Sequence, residues 1–367
     1  MKTVVVGMSG GVDSSVTAYL LKEEGYNVIG LFMRNWDTSI NNDILGNPYL
    51  NNEICTQEQD YNDALKVCND LNIPLHRIDF TKEYWDYVFT YFLDELKRGR
   101  TPNPDIMCNK YIKFDMFVKE ALKLKADYIA TGHYARIENG KLLKGIDNNK
   151  DQTYFLSQLS NKQLNKVLFP IGNITKEEVR NIAAKLNLNV ADKKDSTGIC
   201  FIGERHFKAF LSNYLPHMPG NIINIETNEI VGKHMGLMYY TIGQRKGLDI
   251  GGSTDKIYVV GKNIKDNILY VAFNDNNQYL YSDEALIEDV NWISNNKPIK
   301  CKAKFRYRQE DQDVILEYLD NNHIKVKYNN LKAITPGQAC VFYLDDECLG
   351  GGIIKEVSKD NKKLWYL

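Results

Sequence analysis

The sequence has no cysteine pair at zinc-site spacing, no long apolar run and almost no net charge. Its seven cysteines (Cys55, Cys68, Cys108, Cys200, Cys301, Cys340 and Cys348) are odd in number and include no C-x-x-C pair, so free thiols are expected rather than a disulfide framework or a zinc ribbon. No apolar stretch reaches the roughly 18–20 residues of a membrane helix. The chain enters a strand directly, without the leader of a secreted protein, and reads as cytoplasmic. A formal net charge of −1 over 367 residues argues neither for nor against a nucleic-acid partner, so local charge distribution must decide. The glycine-rich stretch near the start lacks the lysine that a Walker A loop places after its glycines. Its Gly7, Gly10 and Gly11 also miss the G-x-G-x-x-G spacing of a dinucleotide fold.

What stands there is Ser-Gly-Gly-x-Asp-Ser-Ser, residues 9–15, between the β-rich run "TVVVG" and the amphipathic run "SSVTAYLLKEEG". Gly10 and Gly11 let backbone amides face an anion without a Cβ in the way. Ser9, Ser14 and Ser15 add hydroxyl donors, and the following helix turns its partial positive end toward a phosphate. Asp13 repels phosphate, so it is expected either to help hold Mg²⁺ or to orient the loop. The string resembles the PP-loop of ATP pyrophosphatases. That resemblance implies ATP cleaved between its α and β phosphates, with AMP placed on an acceptor oxygen. It also puts Met33 and Gly132 (in "ATGHY") beside the nucleoside, at the carboxyl ends of strands where open α/β sheets bind ligands.

Strand-like and helix-like runs alternate through residues 1–135, which implies a parallel sheet covered by helices on both faces. Tyr84, Val88, Phe92 and Leu96 fall at steps of four and predict one buried helix face. Thr175 and Glu178 form a Thr-x-x-Glu capping box ahead of another helix. Residues 37–60 are Asn-rich, poor in apolar residues, and read as a mobile loop insertion. After about residue 220, short β-rich runs separated by Asn, Asp and Gly take over, among them "LMYYTIG", "CKAKFRYR" and "QACVFYL", the pattern of small β domains and a barrel. The expected fold is α/β: a parallel-sheet PP-loop (adenine nucleotide α-hydrolase-like) domain over 1–210, a small mostly-β central domain over 211–280, and a C-terminal β-barrel over 281–367.

Two cysteines stand in polar surroundings. In "GRTPNPDIMCNKYIKF" (99–114), Pro102 and Pro104 force a turn, Asp105 is placed to begin a helix, and Cys108 falls in its first turn near Lys110 and Lys113. A free cysteine is usually a buried, inert thiol, as expected of Cys68 in "ALKVCNDL". The helix start and the lysines instead favour a Cys108 thiolate. Cys200, in "KKDSTGICFIGERHF" (193–207), is bracketed by Gly198 and Gly203, with Lys193, Lys194 and Arg205 nearby. An inert strand cysteine and a reactive loop thiol both fit that setting.

Together "GMSGGVDSS", "GRTPNPDIMCNKYIKF", "ATGHYAR", "NKDQTYFLSQL", "KKDSTGICFIGER", "GLMYYTIGQRKGL", "RYRQ", "TPGQACVFY" and "CLGGGII" resemble the bacterial tRNA-specific 2-thiouridylase family, from residue 3 to about 356. The resemblance implies that Gly7, Met8, Ser9, Gly10, Gly11, Val12, Asp13 and Ser14 bind ATP, which comes with Mg²⁺, while Met33 and Gly132 contact its nucleoside. Asn103, Pro104 and Asp105 would contact the target uridine, Asp105 also exchanging a proton near the uracil. Cys108 would be the catalytic nucleophile and Cys200 the persulfide carrier, the two passing through a transient disulfide. Lys150, Asp151, Gln152, Arg306 and Tyr307 would touch tRNA. The implied partners are the tRNAs for Lys, Glu and Gln, thiolated at wobble uridine 34, and a cysteine desulfurase or sulfur-relay protein as donor.

Basic residues cluster at 97–100, 193–194, 243–247 and 300–308, which makes these the stretches expected to meet RNA. Period-two alternation places Lys302, Lys304, Arg306 and Arg308 on one strand face, with Tyr307 opposite. Two rival readings remain at this level. Other PP-loop enzymes, such as GMP, NAD or argininosuccinate synthetase, adenylate small molecules and need no paired thiols. A non-catalytic tRNA-binding module would keep the loop without turnover.

Overall fold

The computed structural model describes residues 1–52, 54–195, 198–251 and 256–367. Ser196 and Thr197 of the Cys200 motif lie outside them. The first strands are β1 (Thr3–Gly7), β2 (Asn27–Arg34), β3 (Leu75–Asp79) and β4 (Tyr128–Ala130); a hairpin of β5 (Ala135–Glu138) and β6 (Lys141–Lys144) precedes β7 (Val167–Leu168). A five-stranded sheet runs β3-β2-β1-β4-β7, and every pairing in it is parallel. Val4, Val5 and Val6 are wholly buried, as a central strand covered on both faces requires. The chain steps outward from β1 to β3 and then returns to β4 on the other side of β1. That reversal opens a crevice at the carboxyl ends of β1 and β4. Helix α1 (Val12–Glu23) begins there, and α2 (Thr56–Asp70) follows β2.

Tyr84, Val88, Phe92 and Leu96 are all buried, although their helix passes through a π-turn at Trp85–Phe89 before resuming over Thr90–Lys97. The capping box forms as expected: Thr175 Oγ1 accepts from Glu178 N at 3.2 Å, and the Glu178 carboxylate accepts from Thr175 N at 2.6 Å. Residues 37–60 differ from the expectation. Their last part is the first turn of α2, and the turns before it are packed against segment 205–214. Asp43 is fully buried, paired with Arg205 at 2.6 Å, and accepts from Trp36 Nε1 at 2.9 Å. Tyr214 Oη donates to Asn41 O at 2.9 Å. One buried ion pair and one tryptophan thus anchor a stretch whose asparagines bond to nearby backbone, and low apolar content misled the sequence reading.

The central sheet contains β8 (Gly220–Asn224), β9 (Ile230–His234), β10 (Ile257–Asn263) and β11 (Ile268–Phe273), ordered β10-β11-β8-β9. "LMYYTIG" is no strand: Leu237–Tyr239 is a 3₁₀ turn, with Tyr239 and Tyr240 buried. The last unit contains β12 (Tyr281–Trp292), β13 (Lys300–Lys304), β14 (Gln312–Tyr318), β15 (Ile324–Lys332), β16 (Ala339–Leu344) and β17 (Glu347–Lys359), ordered β12-β15-β14-β13-β16-β17. β12 pairs again with β17, which closes a six-stranded barrel. The β5–β6 hairpin, inside the first 210 residues, joins this barrel through Leu143 opposite Glu347.

Strand β13 ends at Lys304, so the alternation expected to carry Arg306 and Arg308 on the same face stops short. Phe305 turns into the barrel core, and the chain leaves the sheet with Arg308 at φ 63°. One buried apolar cluster includes Phe92, Leu237, Ile257, Val341 and Ile353, joining all three units. No described helix is long and apolar enough to cross a membrane.

Candidate active site

The loop between β1 and α1 is tied by its own serines. Ser14 Oγ accepts from Ser9 N at 3.2 Å and donates to Gly11 O at 3.0 Å. Gly11 caps α1 with no side-chain bond, leaving first-turn amides for an anion. Gly10 has φ +72°, and a Cβ there would lie 2.2 Å from Asp60 O, so only glycine fits. A Cβ on Gly132 would lie 2.9 Å from Ser14 N, which places "ATGHY" against the start of α1. The Met33 Cε lies 3.8 Å from where a Gly7 Cβ would be. Lys193 reaches this loop from outside, donating to Gly10 O at 2.8 Å while pairing with Asp60 and Asp63.

Asp13 has partners on both of its carboxylate oxygens. Lys176 Nζ donates to its two oxygens at 2.7 and 2.8 Å, and Tyr134 Oη donates at 2.8 Å. Lys176 also pairs with Asp195, which Lys150 and Arg180 meet as well. Burial acts against the Asp195 carboxylate, but these cations outweigh it and hold its pKa down at about 2. Among the described residues no three His, Cys, Asp or Glu side chains are grouped to hold a metal. Mg²⁺ that arrives with ATP needs no such cage, since nucleotide phosphates and water supply most of its ligands.

The sulfur site assembles from three segments. Asn103, not Asp105, caps the short helix Pro104–Met107: its Oδ1 accepts from Asp105 N at 3.1 Å and Ile106 N at 3.4 Å. The Asp105 carboxylate is thereby free to accept from Cys200 N at 2.9 Å. The helix continues as a π-helix over Cys108–Met116. Cys108 is fully buried, and its Sγ donates to Cys200 Sγ at 3.6 Å. Both are free thiols. Tyr84 Oη donates to Cys200 O at 2.7 Å, and Lys113 hydrogen-bonds the Cys200 sulfur while facing Cys108 and Asp105.

Burial pushes the Cys108 thiol up, and its bond to Cys200 adds to the rise. The hydrogen bond received from Cys108, with Lys113 behind it, pulls Cys200 below an ordinary thiol despite its burial. The Cys108 shift thus runs opposite to the one expected, and of the two thiols it is Cys200 that is displaced toward the thiolate. The amides at the helix start are capped by Asn103, and the ammonium falls on the partner sulfur. Lys113 keeps its proton: burial opposes the charge, but Cys200, Cys108 and Asp105 outweigh it. Burial pushes the Asp105 carboxyl up against the pull of the Cys200 N–H and Lys113. Burial, then Lys113, keep His133 neutral.

Helix α2 links the two halves, its Asp60 closing on Gly10 and its Gln57 Nε2 donating to Phe201 O at 2.9 Å. The residues expected at RNA also meet. Tyr307 packs on Phe155 with centroids 4.4 Å apart, which brings the 306–307 turn to the 150–152 loop. Arg306 is exposed. Asp151 is buried and accepts from Gly145 N at 3.2 Å and Thr153 Oγ1 at 2.9 Å, so its carboxylate braces the loop. Gln152 Oε1 accepts from Tyr134 N at 3.0 Å. Lys302 and Lys304 pair with Asp313 and Asp311. Sequence reasoning missed Tyr84, Tyr134 and Lys176, and noted Lys113 only as a neighbour. The first is hidden inside an apolar repeat; Tyr134, two residues past Gly132, carried a usable signal.

Three family models match in succession: a tRNA methyl transferase HUP domain over residues 2–204, a tRNA methyl transferase PRC-barrel domain over 208–273, and an aminomethyltransferase beta-barrel domain over 282–354. The tRNA-specific 2-thiouridylase MnmA of Mycoplasmopsis synoviae is 60% identical, covering 100% of this chain and 99% of that protein. Those of Mycoplasma capricolum and Bacillus cereus are 58% and 56% identical, covering 97% and 99% of this chain and 99% and 97% of theirs. Identity of this order along the whole length means that the chain belongs to the tRNA-specific 2-thiouridylase family.

Proposed function

We propose that this chain converts wobble uridine 34 of the tRNAs for Lys, Glu and Gln to 2-thiouridine, with the assignments made from the sequence. The observation that carries the reading is the Cys108–Cys200 pair, 3.6 Å apart beside Lys113 and Asp105. The C2 oxygen of uracil is a poor leaving group. It attacks the α phosphorus of ATP, pyrophosphate departs, and the oxygen becomes part of an AMP ester. Amides and hydroxyls of residues 7–14 meet the charge that develops on the phosphates, with Met33 and Gly132 at the nucleoside. Asn103, Pro104 and Asp105 hold the uridine.

The terminal sulfur of a Cys200 persulfide then attacks C2. Cys108 Sγ attacks Cys200 Sγ, the S–S bond breaks, and its electron pair stays on the transferred sulfur. AMP leaves, C2=S forms, and a Cys108–Cys200 disulfide remains. Asp105 takes up the proton released at the thiols. An external dithiol reduces the disulfide, and a cysteine desulfurase or sulfur-relay protein reloads Cys200. If Cys108 instead frees sulfide before the attack on C2, the same two thiols are needed. Lys150, Gln152, Arg306 and Tyr307 face the RNA, with Asp151 holding their loop. Residues 1–210, 211–280 and 281–367 act as catalytic, central and tRNA-contacting units. A reducing cytoplasm suits seven free cysteines.

The test incubates tRNA with the protein, ATP, Mg²⁺ and a persulfide donor and analyses the nucleosides. 2-Thiouridine from wild type and none from Cys200→Ser supports the reading. Thiolation by the variant removes the persulfide assignment, and a methylated product instead would favour the wording of the family models.

A further inference from the structure

Residues 99–101, which lead into the Asn103–Asp105 turn, have their backbone held by the other two units. Lys262 Nζ of β10 donates to Gly99 O at 2.9 Å. Thr101 N donates to Pro336 O at 2.9 Å, and Gln338 Nε2 donates to Thr101 O at 2.6 Å. Arg100 bridges Glu95 to Glu288 of β12, at 3.2 and 2.9 Å. The fit is tight: a Cβ on Gly337 would lie 2.8 Å from Thr101 N, and one on Gly99 would lie 2.4 Å from Ile264 Cδ1. Four residues after Thr101, Asp105 holds the Cys200 amide. A shift at 99–101 therefore reaches the target-base turn and the thiolate loop together.

Gln338 has a second exposure. It lines a groove of about 190 Å³ between the central unit and the barrel, walled also by Thr241, Arg306, Gln309, Lys332 and Thr335, with no carboxylate in its lining. The motifs "YTIGQRKG", "RYRQ" and "TPGQ" converge there. Lys332 is met by Asp275 at 3.5 Å, and the groove's other cation, the exposed Arg306, stands beside the Gln309 and Gln338 amides, a set that suits a phosphate of an RNA backbone. Resting on the thiouridylase reading, we infer that Gln338 is a positioning residue. RNA seated in this groove fixes the Gln338 amide, which sets the height of Thr101 and thus of the Asn103–Asp105 turn against Cys200. The two β units then take part in the chemical step as well as in affinity.

The experiment compares wild type, Gln338→Ala, Gln338→Glu and Arg306→Ala in pyrophosphate release and 2-thiouridine formation, with tRNA binding and melting temperature measured alongside. Wild-type turnover separates failure of this inference from failure of the underlying reading. Gln338→Ala is expected to lower kcat for both products by about 10- to 100-fold, the size of effect a displacement near 1 Å produces, with tRNA Kd within about threefold. Arg306→Ala is expected to show its loss in KM. Gln338→Glu keeps the volume but loses the donor, and serves if the alanine variant fails to fold. Unchanged kcat, or a loss confined to KM and Kd, overturns the proposal.

Discussion

In the first unit buried Cys108 and half-buried Cys200, Asp105 and Lys113 stand in one another's company; in the β units Cys301, Cys340 and Lys262 are buried without an opposite charge. Burial pushes Cys301 up to about 12, raises Cys340 well above an ordinary thiol with Cys301 adding to the rise, and drops Lys262 to about 7. In the catalytic cluster the directions invert, Cys200 falling and Lys113 rising. Desolvation pushes the thiols of both regions up, so desolvation alone does not set where a thiol titrates. A charge survives burial where an opposite charge and a hydrogen bond meet it. The hydrogen bond from Cys108, with Lys113 behind it, separates Cys200 from the thiols that burial alone governs.

The largest break in that comparison comes from exchanging sulfur for oxygen. Cys200→Ser is expected to lower 2-thiouridine formation by more than about 10³-fold, as loss of a nucleophile does, while pyrophosphate release with tRNA continues. Cys340→Ser in the barrel should leave thiolation in place. Equal loss in both variants would mean that the catalytic pair is not special. Next in size is the cation. With Lys113 present, Cys200 should be alkylated with a pH midpoint below the free-thiol value of about 8.5. Lys113→Met should raise that midpoint by about one unit, which is a tenfold loss of thiolate at pH 7. Rate of alkylation against pH, read by mass spectrometry at Cys200, checks it; an unmoved midpoint removes Lys113 as counter-charge.

These contrasts were only half legible in the chain. The PP-loop, the strand–helix alternation and the switch to β structure show in composition and spacing, because local backbone needs dictate them. Cys108 and Cys200 stood out by their polar neighbours. Which sulfur is displaced toward the thiolate did not, because it depends on Lys113 and Asp105 meeting Cys200 across 87 and 95 positions of chain. The same holds for Asp13, whose partner Lys176 lies far along the sequence, and for Asp151, whose burial depends on the barrel. The strand face expected for Arg306 and Arg308 failed because Phe305 enters the core, a tertiary event that alternation cannot register. The anchored turns at 37–47 were hidden by asparagine content.

A smaller effect tests the inert side. Cys340→Ala should leave thiolation unchanged and cost about 1 kcal/mol of stability, the scale of one small buried group. Native Cys340 should resist alkylation until urea unfolds the protein. Alkylation of native Cys340 at a rate near that of Cys200 would erase the distinction between the two regions.

Lys262 gives the finest test, because its sign is fixed by the absence of a counter-charge. Its ammonium is buried, its partner is the Gly99 carbonyl, and burial lowers its pKa from 10.5 to about 7. Between those values the unfolded chain binds a proton that the folded chain does not, so stability rises with pH through that window. It is lost as pH falls from 10.5 to about 7, by about 1.4 kcal/mol per unit, the slope for one proton. Below about 7 both states are protonated and this slope ends. Lys262→Met removes the titration and also the bond to Gly99, whose loss is a constant offset. Stability of wild type relative to the variant should therefore climb steadily in urea titrations at pH 7, 8 and 9. A pH-independent difference would show that Lys262 keeps its ordinary pKa, and that burial without a partner does not govern the β units as it does their thiols.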